Sequence, residues 1–187
     1  MVEENVYCVL DTETTGLNPW FGDRIIEVAI VPVYKGKIVN SWIYHSLVNP
    51  SIPIPALSEK IHGISNAQIA DAPGLERVLD NIRAYTKDTI LVMHNATMDL
   101  SFLDIATKEV GQFPINAKYI DTLEISESLY GKRRSLESLV KEFKLGSKVP
   151  HRALQDAILT AKVFLKLSEK IGIENLREFV RIWGDGQ

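Results

Sequence analysis

At 187 residues the chain is long enough to bury a sizeable core, and one domain spanning 1–187 is expected. A hydrophobic fraction of 45% beside 24% charged residues excludes a disordered chain, and no apolar run approaches membrane-spanning length. The net charge of −3 argues against broad coating of nucleic acid; the opening MVEENVYC has acids where a signal peptide has basic residues, so a cytoplasmic protein is expected.

Residues 6–10 (VYCVL) read as an apolar strand that holds the single cysteine, Cys8, as a small core hydrophobe without a disulfide partner. The strand runs into Asp11 and Glu13, whose i, i+2 spacing puts both carboxylates on one face. Like charges so close repel, and each costs free energy beside a buried strand unless something offsets it. After Pro19 and Gly22 comes an apolar stretch at 25–33. The turn YKGK and a third strand at 38–48 then complete an antiparallel meander. Pro50, Pro53 and Pro55 bar regular structure until a short helix at 56–61. A helix after Pro73 carries Leu75, Val78, Leu79 and Ile82 as one buried stripe.

A short strand at 89–93 leads into a helix at 97–109, which Gly111 and Pro114 close, and another short strand covers 117–120. The remainder reads as largely helical, including 152–171, stopped by Gly172. Strands alternating with helices imply parallel pairing in this half. The expected fold is α/β: a mixed five-stranded sheet, meander first and parallel βαβ afterwards, with helices on both faces.

Further acids join the first pair. In HNATMDLSFL, Asp99 shares a helical stripe with Phe102, Leu103, Ala106 and Val110 and so faces the core, while Asn95 and Thr97 lie nearer the helix start as caps. Asp104 faces away and is expected to be solvated. In VPHRALQDA, Pro150 leaves His151 in a loop and puts Asp156 in the first turns of the next helix, where the helix dipole favours negative charge. No zinc-type Cys/His cluster or glycine-rich phosphate loop is present, so an all-carboxylate set points to hard ions, magnesium or manganese. Between Lys132 and Arg152, seven basic residues outnumber two acids, which makes this segment +5 in an otherwise acidic chain. It adjoins the His151 loop; such a run usually marks only a solvated face, with contact to a nucleic-acid backbone as the alternative.

DTETTG, HNATMDLSFL and HRALQD resemble, in order and spacing, the three motifs of the DEDDh exonucleases. The likeness is to the DnaQ-like branch, which includes the proofreading epsilon subunit of bacterial DNA polymerase III and the exonuclease domain of PolC polymerases. KIHGISNAQIADAP also looks like that branch, and the resemblance covers residues 6–165. It implies a ribonuclease H-like fold and metal-dependent 3′→5′ exonuclease activity that releases nucleoside 5′-monophosphates from DNA ends, in proofreading or repair. By position it implies that Asp11, Glu13, Asp99 and Asp156 hold two magnesium or manganese ions and that His151 is the general base. Thr14, Thr15, Gly16 and Leu17 would hold the terminal nucleotide, with His62, Asn95 and Phe102 as further contacts. Asp121, followed by Glu124, reads as a helix cap. The implied partners are a single-stranded or frayed 3′ end and a DNA polymerase subunit. Two rival readings are an RNA exonuclease of the oligoribonuclease or ribonuclease T kind and a non-catalytic scaffold on a polymerase.

Overall fold

The computed structural model describes residues 5–184; the acidic residues Glu3 and Glu4 read above, and residues 185–187, lie outside these. Strand β1 (Val6–Thr14) forms where expected and runs four residues further. It pairs antiparallel with β2 (Ile25–Tyr34), which sets Asp11 opposite Ala29 and Glu13 opposite Glu27, with a bulge between Glu13 and Thr14. The third strand expected at 38–48 is broken. Strands β3 (Lys37–Ile38) and β4 (Tyr44–Leu47) both pair with β2, separated by a 3-10 turn at Asn40–Trp42. Pro32 supplies the reason. Its carbonyl accepts from Val39 N at 2.8 Å, but it has no N–H to return, and the Val39 carbonyl takes Trp42 N at 3.0 Å instead.

Helices α1 (Ala56–His62), α2 (Asn66–Ile69) and α3 (Leu75–Thr86) follow. Strand β5 (Ile90–Met93) pairs parallel with β1, and β6 (Ala117–Asp121) parallel with β5, the crossover being α4 (Ala96–Glu109). Helices α5 (Thr122–Tyr130), α6 (Leu136–Glu142) and α7 (Ala153–Ile171) come next, then β7 (Arg181–Trp183), antiparallel to β6. Among the described residues the sheet therefore has seven strands, not five, in the order β3-β2-β1-β5-β6-β7 with β4 beside β2. β7 is too short to show a pattern in sequence. It is fixed instead by contacts of Trp183, whose ring meets Tyr119 edge-on and whose indole N–H donates to Asp104 at 3.1 Å. Asp104 is thus a hydrogen-bonded partner and not a merely solvated acid.

The two-residue period of β1 divides its side chains between two cores. Tyr7 and Val9 join Ala29, Val31 and Val33 of β2 under α5, α6 and α7, while Cys8 and Leu10 join the layer under α3 and α4. Ala153, Ala157 and Ala161 are fully buried, so the face of α7 turned to the sheet is lined by small side chains. The parallel pairing of β1 with β5 ends at Val9 opposite Val92, so the far end of β1 stands beyond its neighbour. The same period sends Asp11 and Glu13 to the α7 side and Thr12 to the α4 side. No helix among the described residues is long and apolar enough to cross a membrane.

Candidate active site

Three of the four expected acids meet at the free end of β1. One oxygen each from Asp11, Glu13 and Asp156 lies within 4.8 Å of the other two. Asp99 stands at the edge of this cup. It belongs to α4, on the other face of the sheet, and its Oδ1 accepts from Thr12 Oγ1 at 2.7 Å. Its charge nevertheless reaches Asp11.

The cup is electrostatically loaded. Burial, then the neighbouring Asp99, Asp156, Glu13 and Glu27, push Asp11 well above the usual carboxylate range. Glu13 is pushed up to about 8 by burial and by Asp156, Glu27 and Asp99, against the opposing pull of Arg152. Burial raises Asp99 to about 7 against the Thr12 hydrogen bond. Asp156 is raised to about 6 by burial, opposed by the His151 ring and the backbone amides of His151 and Arg152. Asp156 Oδ1 is buried and has no hydrogen-bond partner among the described residues. A buried acceptor of that kind beside two more carboxylates calls for a cation, and an all-oxygen set suits a hard divalent ion. The donor set fits the metals that the resemblance implied.

One residue of the site escaped the sequence reading. Glu27 is fully buried on β2, directly across from Glu13, where a like charge should be destabilising. Its Oε1 accepts from Arg152 Nη2 at 2.8 Å and its Oε2 from Arg152 Nε at 3.1 Å and Ala153 N at 2.9 Å; His45 Nε2 lies 2.7 Å from Oε1. Burial alone would raise Glu27, but Arg152, His45 and the Ala153 amide outweigh it and hold its carboxyl below the usual range. This clamp fixes the start of α7, and with it His151 just before and Asp156 just after. The signal in the sequence was a single acid inside the apolar run IIEVAIVPV.

His151 is exposed on the loop before α7 with φ +56°, and its ring lies close enough for its charge to act on Asp156 and His62. The remaining candidates divide. Thr14 Oγ1 donates to the Gly16 carbonyl at 2.5 Å, and Gly16 has no room for a Cβ, which would fall 2.3 Å from the Asp23 carboxylate. Leu17 is exposed at the rim. Thr15 is buried: its N–H donates to the Arg24 carbonyl, its carbonyl accepts from Ser58, and its hydroxyl joins Asp23 and the Arg24 amide. Phe102 is also buried, in the α4 core. Neither Thr15 nor Phe102 therefore presents a free group to a nucleotide, the former because it closes its own loop and the latter because the stripe it shares with Asp99 faces inward.

His62 is buried, and its Nδ1 accepts from Ile64 N at 3.0 Å. The ring proton therefore sits on Nε2, which has no partner among the described residues, and burial pulls the imidazole below its ordinary pKa. Asn95 occupies the left-handed region (φ +73°) and makes no side-chain cap, contrary to expectation. Asp121 performs that task from another strand. Its oxygens accept from Asn95 N and Ala96 N at 3.0 Å and from Leu123 N at 2.8 Å, so one carboxylate caps both α4 and α5.

The basic stretch is largely neutralised within the protein. Arg133 pairs with Glu127, Arg134 with Glu142, Lys141 with Glu137 and Arg152 with Glu27. Lys132, Lys144 and Lys148 stay exposed outside these pairs.

A family model described as exonuclease (RNase_T) matches residues 8–164. The PolC-type DNA polymerase III of Thermotoga maritima is 41% identical over 180 residues, covering 94% of this chain and 13% of that protein. A DNA polymerase III subunit epsilon-like protein of Rhodobacter capsulatus is 35% identical over 184 residues, 95% of this chain and 26% of its own length. The chain thus spans only a small part of these relatives. Exonuclease X in complex with 5′ overhanging duplex DNA superposes with a TM-score of 0.72 at 32% identity, over 89% of this chain and 93% of that one. The nuclease domain of 3′hExo, a DEDDh family member bound to rAMP, gives 0.80 at 20% identity over 96% of each, a likeness of fold. The mixed sheet is the ribonuclease H-like one expected from the motifs, and the chain belongs to the exonuclease family whose model it matches.

Proposed function

We propose that this chain is a metal-dependent exonuclease domain that removes nucleoside 5′-monophosphates from single-stranded or frayed 3′ ends of DNA, in proofreading or repair beside a cytoplasmic DNA polymerase. The observation that carries this reading is the cup of Asp11, Glu13 and Asp156, with the partnerless Asp156 Oδ1 inside it. Asp11, Glu13 and Asp156, with Asp99 at the edge, would hold two magnesium or manganese ions. When bound, these supply positive charge that polarises water and the scissile phosphate. His151 accepts the proton of the attacking water at a ring nitrogen as the water oxygen bonds to phosphorus and the 3′ oxygen of the preceding nucleotide leaves. The Glu27–Arg152 clamp keeps His151 and Asp156 in register with the strand acids. His62 Nε2–H, a buried donor without a partner, is available to an oxygen of the terminal nucleotide, with the 14–17 loop and Asn95 around it. Likeness to polymerase III relatives supports the choice of DNA and of a polymerase partner.

The test is release of mononucleotides from 3′-labelled matched DNA, mismatched DNA and short RNA, with manganese or magnesium present. Faster cleavage of mismatched than matched DNA ends, lost in His151→Ala, is expected. Preference for RNA would reassign the substrate, and activity undiminished in His151→Ala would remove that residue from the chemistry.

Metal binding itself has a pH signature. Manganese at a hundred times its dissociation constant should stabilise the fold by about 2.7 kcal/mol, or roughly 5–10 °C in melting temperature for a chain of this size. Protons compete for the same oxygens, with Glu13 titrating at about 8, Asp99 at about 7 and Asp156 at about 6. The shift should therefore be larger at pH 8 than at pH 6. Calorimetry showing no manganese shift at pH 8 would remove the metal from this reading.

A further inference from the structure

The large apolar side chains left in water are not scattered. Ten are strongly exposed among the described residues, and half come from two short segments: Leu17 (82%), Trp20 (68%) and Phe21 (89%), with Leu57 (73%) and Ile61 (54%). Ser58 Oγ donates to the Thr15 carbonyl at 2.6 Å, which docks α1 onto the loop that carries the first three. Single exposed apolar residues need no explanation, but a concentration beside a candidate site does.

The loop holds its aromatic pair in a fixed position. Trp20 and Phe21 lie on a 3-10 turn at Pro19–Phe21, where Asn18 Oδ1 accepts from Trp20 N at 3.2 Å and Gly22 turns the chain at φ +103°. The Asp23 carboxylate takes Asn18 N at 2.9 Å and Thr15 Oγ1 at 3.2 Å, and Thr15 N bonds the Arg24 carbonyl at 2.8 Å. Arg24 then pairs with Glu109 of α4 at 2.6 Å. The two rings are therefore held out in water by a braced loop, so that little further ordering would be lost on binding a ligand.

We propose that Trp20 and Phe21 form a stacking shelf for the bases of the single-stranded 3′ end behind the scissile linkage. This rests on the exonuclease reading above and extends it to where the strand runs. Flat uncharged rings stack on any base whatever its sequence. The loop's one arginine is held by Glu109, so the shelf offers bases a surface and offers phosphates little. The loop is closed at Thr15, two residues after Glu13 of the cup, by the Thr15–Arg24 and Thr15–Asp23 bonds, which keeps the rings within a few residues' reach of the acids, where a strand whose end lies in the cup can meet them. Bases already stacked in a duplex cannot use the shelf, so it selects frayed ends.

The experiment compares wild type with the double variant Trp20→Ala/Phe21→Ala on two substrates, the oligonucleotide dT16 and the p-nitrophenyl ester of thymidine 5′-monophosphate. The ester carries one nucleoside and does not extend to the shelf. KM for dT16 should rise roughly ten- to hundredfold, the scale of base–aromatic stacking, while KM for the ester moves less than twofold. Trp20→Phe, which keeps a ring, should restore most of the dT16 affinity. With calcium in place of the active metal, dT16 should quench tryptophan fluorescence in the wild type and much less in Trp20→Phe. An unchanged KM for dT16 in the double variant overturns the shelf, and so does an equal loss on both substrates. A wild-type dimer in light scattering that the double variant dissolves would give the surface to a second copy instead. Wild type inert on both substrates sinks the exonuclease reading and the shelf with it, an outcome distinct from a shelf failure in an active enzyme.

Discussion

Asp11→Asn is expected to abolish nucleotide release while making the metal-free protein harder to melt at pH 8. The loss should be roughly 10²–10³-fold or more, the scale seen when one electrostatic group aimed at a reacting centre is removed. The gain in stability follows from repulsion in the cup. Burial and the charges of Asp99, Asp156, Glu13 and Glu27 raise Asp11 far above its value in an unfolded chain. A carboxylate raised in this way binds a proton in the folded state that the unfolded state has released, so stability falls as pH rises toward the folded value. Asn carries no charge and escapes that loss. Its advantage should reach several degrees at pH 8, taking about 2–4 °C per kcal/mol, and shrink as pH falls, closing only below the unfolded carboxylate value of about 4, where both states bind the proton. Scanning calorimetry across this range checks it. Inactivity without any gain at pH 8 would mean that the acids do not repel as the geometry requires.

Glu27→Ala should have the opposite character. Removing the buried acid leaves the buried Ala153 amide unsatisfied and the half-exposed Arg152 without its partner, which costs about 1–3 kcal/mol, or roughly 2–12 °C in melting temperature. The pH dependence also reverses. Glu27 is held below its usual value, so its contribution is complete above the unfolded carboxylate range and is lost as pH falls through the folded value. The difference between wild type and Glu27→Ala should therefore close in acid, in the direction opposite to that of Asp11→Asn. Glu27→Gln keeps the shape and one acceptor oxygen and should fall between the two. Because the clamp seats α7, Glu27→Ala should also lower kcat through His151 and Asp156. A variant that melts within 2 °C of wild type at pH 7, a threshold set by about 1 kcal/mol in a chain of this size, would show that the clamp contributes little.

These two residues mark how far the sequence could be read. Asp11 was legible because an apolar run ending in D-x-E fixes a strand, a face and a pair of repelling charges by the two-residue period alone. The stripe of Asp99 and the breaker before His151 were legible on the same local grounds, as were the buried stripe of α3 and, to within a residue, the bounds of α4 and α7. Glu27 was not legible. Its partner lies 125 residues away, and only the antiparallel register of β1 and β2 brings it under the start of α7. Asp121 hid a second role for the same reason, since capping α4 depends on β6 lying beside β5 with Met93 opposite Asp121. The break in the third strand was a failure to follow Pro32 across to its neighbour.

Local periodicity and three ordered motifs thus determined most of the elements and the fold class, and singled out the four acids with His151 as candidates. The tertiary structure alone decided that three acids form the cup while Asp99 stands at its edge, and that Thr15 and Phe102 face inward. It also decided that the basic stretch is mostly paired within the protein. The physical reason is that periodicity assigns a side chain to a face, whereas pairing, desolvation and charge depend on what the register of distant strands and the seating of helices place opposite that face.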